Sequence, residues 1–130
     1  MSLFKAIFGS TGESWASASL SHDAYKLIWE TTGINIDARE WMDQGALTVR
    51  ATELHTEITG ESLKKANSQT YAVLVLYALI ENSKKRGDHA TTELAKGGLA
   101  HIIVAADKGE YGPYGRIPVE FSLQFAHLYQ

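Results

Sequence analysis

An unbroken run of ten apolar residues, from Tyr71 to Ile80, constrains the fold of this chain more than any other sequence feature. As an α-helix the run would rise about 15 Å, roughly half of a bilayer core, so it is too short to cross a membrane. A segment that is apolar around its whole circumference is covered by other elements on most sides. We therefore expect it to form the centre of a buried core.

The residues on either side of the run indicate a helix rather than a strand. Good helix formers precede it from residue 61, and Lys84, Lys85 and Arg86 follow it, where cations stabilise the negative end of a helix. Gly87 is then suited to terminate the helix. The sequence predicts a central buried helix at about 62–86, and the alternative is a buried strand at 72–77.

Two helices are predicted before the central one from their caps and glycines. Ser21 is placed to cap a helix that ends at Gly33. An acidic variant of the capping box at 37–40 predicts a short helix that Gly45 ends.

A further helix follows from apolar spacing alone. Apolar residues recur at intervals of four, three and four from Leu47 to Ile58, which places them on one helical face that ends before Gly60.

After the central helix, Asp88 is expected to cap a helix that runs towards Ala106, with Gly97 and Gly98 in its middle. Adjacent glycines there predict either a break or a close approach of another backbone. The segment 99–106 also suits a strand. The apolar residues of 119–128 fit both the alternation of a strand and the period of a helix, and we favour a helix because Pro118 suits a first helical turn.

The fold class predicted from these elements is all-α, a bundle of five or six helices around the central one. We expect 1–130 to form a single domain, because a chain of this length buries a core of its own. The first eight residues suit an amphipathic helix, and 10–21 suits a linker rich in Ser, Ala and Gly, so the N-terminal segment 1–20 is expected to be flexible.

Composition excludes several classes of function. The chain is 45% hydrophobic and 21% charged with a net charge of −3, and its basic residues are scattered, so no nucleic-acid partner is expected. It has no cysteine, which excludes disulfides and cysteine-based zinc sites. The apolar stretch at residues 3–8 is shorter than the core of a signal peptide, and Lys5 alone attracts anionic lipid only weakly, so we expect a cytoplasmic protein with no membrane partner.

Five histidines are present, but none has a partner at the spacing of a helical metal site, so no metal and no cofactor are expected. His55 lies between Glu53 and Glu57, but on a helix it points about 200° away from the face that they share, which favours a solvated face over a metal or acid–base site. His101, within an apolar run, is typical of a hydrogen-bonded core histidine. These two histidines are nevertheless the candidate ligand-binding residues of an alternative function. No catalytic residue is proposed.

The segment 109–118 is a loop, because its glycines and prolines do not support a regular element. It carries Tyr111, Tyr114 and Arg116, residue types that dominate interface hot spots. The competing interpretation is a tyrosine-rich turn that folds back onto the core. We take the three residues as the candidate partner-binding residues.

Together these features favour a non-catalytic protein–protein interaction module, such as a small regulator, inhibitor or adaptor, over an enzyme. The partner would be a protein, and a homodimer is a further expectation. The alternative is a small-molecule-binding protein or small enzyme in which His55, His101 and a tyrosine line a cleft between helices.

Overall fold

The structure, a computed structural model, describes residues 18–128 and confirms the all-α class. Of these residues 81% are helical, and they form five α-helices and no strand. The helices are α1 (Ala18–Thr32), α2 (Trp41–Thr59), α3 (Ser68–Lys85), α4 (His89–Asp107) and α5 (Val119–Phe125). Short 3-10 turns lie at Ile36–Ala38, Leu63–Lys65, Pro113–Gly115 and Ala126–Leu128.

Helix α3 is the buried centre of the bundle, as its apolar run predicts. Every residue from Tyr71 to Leu76 is fully buried, and α3 packs against α1, α2 and α4. The strand alternative for 72–77 is wrong. In the described part of the chain, no helix combines the length and the apolar character that crossing a membrane requires.

The central helix begins later than predicted. Residues from Ser62 to Ala66 form a 3-10 turn with its flanks, and α3 starts after Asn67, whose side chain accepts a hydrogen bond from Thr70 N at 2.8 Å. Asn67 has the extended backbone of an N-cap, so it separates the two elements.

Helix α2 corrects two predictions. The capping box at 37–40 does not form, because Asn35 instead caps the 3-10 turn by accepting from Ala38 N. Gly45 does not end a helix either, and α2 runs through it to Thr59. The apolar face from Leu47 onward packs on α3, and this packing outweighs the low helix propensity of one glycine.

Helix α1 includes Ser21 in its interior, so the predicted cap at Ser21 is wrong. Leu20 lies in this helix and packs against the core, and the helix as described begins at Ala18. The predicted amphipathic helix at 1–8 and most of the predicted linker lie outside the described residues. Gly33, Gly60 and Gly87 follow the ends of α1, α2 and α3 with positive φ, as predicted.

Helix α4 is continuous through its glycine pair. Gly98 is buried against α1, and a Cβ built on it would lie 2.2 Å from Cγ2 of Thr32. The helix therefore does not break, and a close approach occurs at Gly98, but the neighbour is a side-chain methyl and not the backbone that was predicted. The strand alternatives for 99–106 and 119–128 are wrong.

Two polar contacts fix the helices around α3. Arg50 of α2 binds Glu81 of α3 through Nε and Nη2, at 2.8 and 3.2 Å. The buried hydroxyls of Ser83 and Thr92 lie 2.6 Å apart and join α3 to α4. Each of these polar side chains meets its partner in this arrangement of the helices. Both contacts therefore favour one register of the bundle.

Candidate functional site

The loop at 109–118 is fixed to the N-terminus of α3 by Asn67. The amide nitrogen of Asn67 donates to the backbone carbonyls of Tyr114 and Arg116, at 3.0 and 2.5 Å, while its oxygen caps α3. One side chain thus orients both elements. The loop is therefore held in a defined conformation despite its glycines.

Tyr111 folds back onto the protein rather than facing solvent. It is half-buried against the core, and a Cβ built on Gly115 would lie only 2.3 Å from the Cβ of Tyr111. Burial, with the nearby charge of Glu110, raises the pKa of the Tyr111 hydroxyl above its ordinary value. Of the three predicted partner-binding residues, Tyr111 thus matches the competing interpretation of a turn packed on the core.

Tyr114 and Arg116 face outward from the same loop. Tyr114 is 91% exposed, and Arg116 is exposed with no ion pair among residues 18–128. Two apolar residues of the following helix are also exposed, Val119 at 65% and Leu123 at 73%. We call Tyr114, Arg116, Val119 and Leu123 the outer surface.

Helix α5 separates an exposed face from a buried one. Val119 and Leu123 are four residues apart and share one face, while Phe121 and Phe125 are fully buried on the other. Phe121 stacks on His55 at 5.6 Å and Phe125 on Tyr77 at 4.7 Å between ring centroids. These two rings fix α5 against α2 and α3, and so they hold its exposed face outward.

The two candidate histidines are not brought together. Glu53 and Glu57 are exposed, as expected for a solvated face, whereas His55 is 4% exposed and lines a cleft. His101 is exposed on α4 and is not among the residues that line that cleft, so it is not a core histidine. The imidazole of His55 lies on the opposite side of α2 from the exposed Glu53 and Glu57. Because those two residues face solvent, His55 faces the interior.

The ring of His55 has a defined orientation. Its Nδ1 lies 2.9 Å from the carbonyl oxygen of Glu61, which only accepts, so Nδ1 carries the proton of that bond. The hydroxyl of Thr59 lies 3.4 Å from the same nitrogen and donates to the carbonyl of His55 at 2.7 Å. In the neutral ring, Nε2 therefore carries a free lone pair.

The cleft has a volume of about 270 Å³. It lies between the C-terminal end of α2, the N-terminus of α3 and the start of α5. Its lining is mostly polar and comprises His55, Thr59, Glu61, Lys65, Ala66, Asn67, Thr70, Arg116, Pro118 and Glu120.

The cleft offers hydrogen-bond donors, acceptors and charges of both signs. Within residues 18–128 no group of three or more His, Asp or Glu side chains is arranged to hold a metal ion. Sequence reasoning identified His55 and Arg116 but missed Asn67 and Thr70, although an Asn three residues before Thr70 at a helix start is a recognisable N-cap signal.

Comparison with known proteins gives no further assignment. No protein-family model matches the chain, and neither a curated protein sequence nor a solved structure matches it significantly.

Proposed function

We propose that this protein is a non-catalytic protein–protein interaction module, a small regulator, inhibitor or adaptor that binds its partner through the outer surface. The observation that supports this proposal most strongly is Tyr114, whose ring is 91% exposed on a loop that Asn67 ties to α3. A large aromatic side chain held in solvent by a fixed backbone offers contact area at a low cost in conformational entropy.

The chemistry of the outer surface defines the partner. Tyr114, Val119 and Leu123 match an apolar patch of a protein, and Arg116, which has no ion pair in the described part of the chain, matches a carboxylate. A guanidinium binds a carboxylate through two parallel hydrogen bonds, so this pair would fix the orientation of the complex. The partner is therefore expected to place an acidic side chain beside an apolar one.

Affinity capture with quantitative mass spectrometry tests the proposal. The wild-type protein is compared with Tyr114→Ala and Leu123→Ser, and with Leu94→Ser as a matched control, because Leu94 is an exposed apolar residue of α4. Tyr111 is left intact because its side chain supports the loop. We expect to find a protein that the wild type and the control capture and that both outer-surface variants fail to capture. Once purified, this protein should bind the wild type directly, and the binding should weaken as salt is added.

Loss of the same proteins in the control, or retention in both outer-surface variants, would contradict the proposal. Light scattering on the same four proteins tests the homodimer alternative. A dimer that dissociates in Tyr114→Ala and Leu123→Ser would identify a second copy of the chain as the partner.

A further inference from the structure

We infer that the cleft between α2, α3 and α5 binds a small zwitterion, a molecule that carries an ammonium and a carboxylate, such as a free α-amino acid or a dipeptide. This inference goes beyond the proposed function because it concerns a different ligand, a small molecule held in the cleft, although Arg116 belongs both to the outer surface and to the cleft lining. It rests on two buried polar groups at the cleft and on the charges of its two walls.

Two buried residues that line the cleft have polar atoms without a partner among residues 18–128. His55 is 4% exposed and Thr70 is 1% exposed. Among the described residues, neither Nε2 of His55 nor the hydroxyl of Thr70 has a hydrogen-bond partner, and neither atom is sealed from solvent. Both residues line the cleft and retain hydrogen-bonding capacity there, so they are placed to bind a ligand that enters it.

The walls of the cleft carry balanced charges. The segment after α2 contributes Glu61 and Lys65, and the segment around the start of α5 contributes Arg116 and Glu120. Within residues 18–128 none of these four forms an ion pair. A simple anion would pair with Lys65 and Arg116 but be repelled by the two carboxylates. A simple cation would pair with the carboxylates but be repelled by Lys65 and Arg116. A ligand with both charges satisfies all four.

The N-terminus of α3 indicates how the ligand is oriented. The positive end of the helix dipole lies at Asn67 and Thr70, and it favours the carboxylate of the ligand on that side, near Lys65 and Arg116. The ammonium is then directed to Glu61 and Glu120. The lone pair of Nε2 on His55 accepts a hydrogen bond from the ammonium or from another donor of the ligand.

The size of the cleft limits the ligand. Its volume of about 270 Å³ is below the range of about 300–1,000 Å³ that drug-sized ligands occupy. A molecule with few heavy atoms fits, which suits a free amino acid or a short peptide rather than a nucleotide.

NMR titration of the full chain tests the inference. The probes are the standard L-amino acids, added singly, and glycylglycine. We expect at least one probe to shift the amide signals of His55, Glu61 and Thr70. The N-acetyl and amide derivatives of that probe, which lack the ammonium and the carboxylate respectively, should each bind about tenfold more weakly or worse.

Matched variants locate the site. Arg116→Gln and Glu120→Gln should each weaken binding about tenfold, while Arg86→Gln, an exposed cation beyond the far end of α3, should leave it unchanged. Tyr114→Ala and Leu123→Ser, which lie outside the cleft lining, should also bind the zwitterion normally, and this separates the inference from the proposed function. Circular dichroism verifies that each variant is folded.

Three results would overturn the inference: no shift with any probe at millimolar concentration, equal binding of the N-acetyl derivative, or normal binding by Arg116→Gln. Equal binding of the N-acetyl derivative would identify an anion site instead. If a zwitterion does bind, the comparison between the amino acids and glycylglycine decides which source the site prefers.

Discussion

The contact between Gly98 of α4 and Thr32 of α1 predicts opposite effects for two adjacent substitutions. Gly97 and Gly98 both lie within α4, but a Cβ on Gly97 would meet nothing within 4 Å, whereas one on Gly98 would lie 2.2 Å from Cγ2 of Thr32. Gly97→Ala therefore tests helix propensity alone. Gly98→Ala tests the same propensity together with the overlap.

The magnitudes follow from these two terms. Replacing a helical glycine by alanine stabilises a protein by about 1 kcal/mol, so Gly97→Ala should raise the free energy of unfolding by that amount. In Gly98→Ala the same gain is opposed by overpacking, which costs about 1–3 kcal/mol. The variants should therefore differ by about 1–3 kcal/mol, which corresponds to roughly 3–12 °C in Tm for a domain of this size.

Thr32 has little freedom to move away. Its hydroxyl donates to the carbonyl of Ile28 at 2.7 Å and accepts from the amide of Ile34 at 3.0 Å, so rotation of its side chain would break both hydrogen bonds. Thr32→Ser keeps this hydroxyl and removes Cγ2. We therefore expect Thr32→Ser to restore most of the stability that Gly98→Ala loses.

Urea denaturation of the wild type, both alanine variants, Thr32→Ser and the Thr32→Ser/Gly98→Ala double variant measures each term. The double-mutant cycle should give a favourable coupling between residues 32 and 98 of about 1 kcal/mol or more. Equal stability of Gly97→Ala and Gly98→Ala, or a coupling near zero, would refute the argument that α1 and α4 require a glycine at their contact.

Two further predictions concern Tyr25 and Asn67. Burial, assisted by the nearby Tyr71, raises the pKa of the Tyr25 hydroxyl above its ordinary value of 10.0. The un-ionised hydroxyl of Tyr25 therefore contributes fully to the free energy of unfolding below about pH 10, and this contribution is lost as the pH rises towards the pKa in the folded protein. Tyr25→Phe cannot ionise and should show a smaller loss of unfolding free energy between about pH 8 and about pH 11 in guanidinium titrations, whereas an unchanged loss would contradict this assignment. Asn67→Asp keeps the acceptor that caps α3 but loses both donors to the loop, and Asn67→Ala loses the cap as well. In thermal denaturation Asn67→Asp should be destabilised by about 1–3 kcal/mol and Asn67→Ala by about 1 kcal/mol more, and equal stability of Asn67→Asp and the wild type would exclude the role of Asn67 in holding the loop.

Much of the fold could be predicted from local signals. The apolar run from Tyr71 to Ile80 identified the central helix, and Gly33, Gly60 and Gly87 marked three helix ends, because glycine adopts a positive φ without strain. Errors occurred where two local signals competed. Gly45 resembled a helix end, but the packing of α2 on α3 decided otherwise.

The candidate site was only partly accessible to sequence reasoning. Arg116 and Tyr114 were identified by residue type in a glycine-rich loop, and the exposure of both agrees with that choice. Tyr111 has the same residue type as Tyr114, yet it is partly buried and packs against the core. Residue type predicts what a side chain is able to do, whereas the direction in which it faces depends on its neighbours.

The sequence by itself determined the helical class and the burial of α3, because apolar periodicity and glycine positions act within a few residues of one another. Only the tertiary structure decided that His55 faces a cleft while His101 faces solvent, and that Asn67 joins α3 to a loop 47 residues further along the chain. Such contacts link residues that are distant in sequence, and they exist only once the helices have packed. The cleft is a product of this packing, since α2, α3 and α5 each contribute part of its wall.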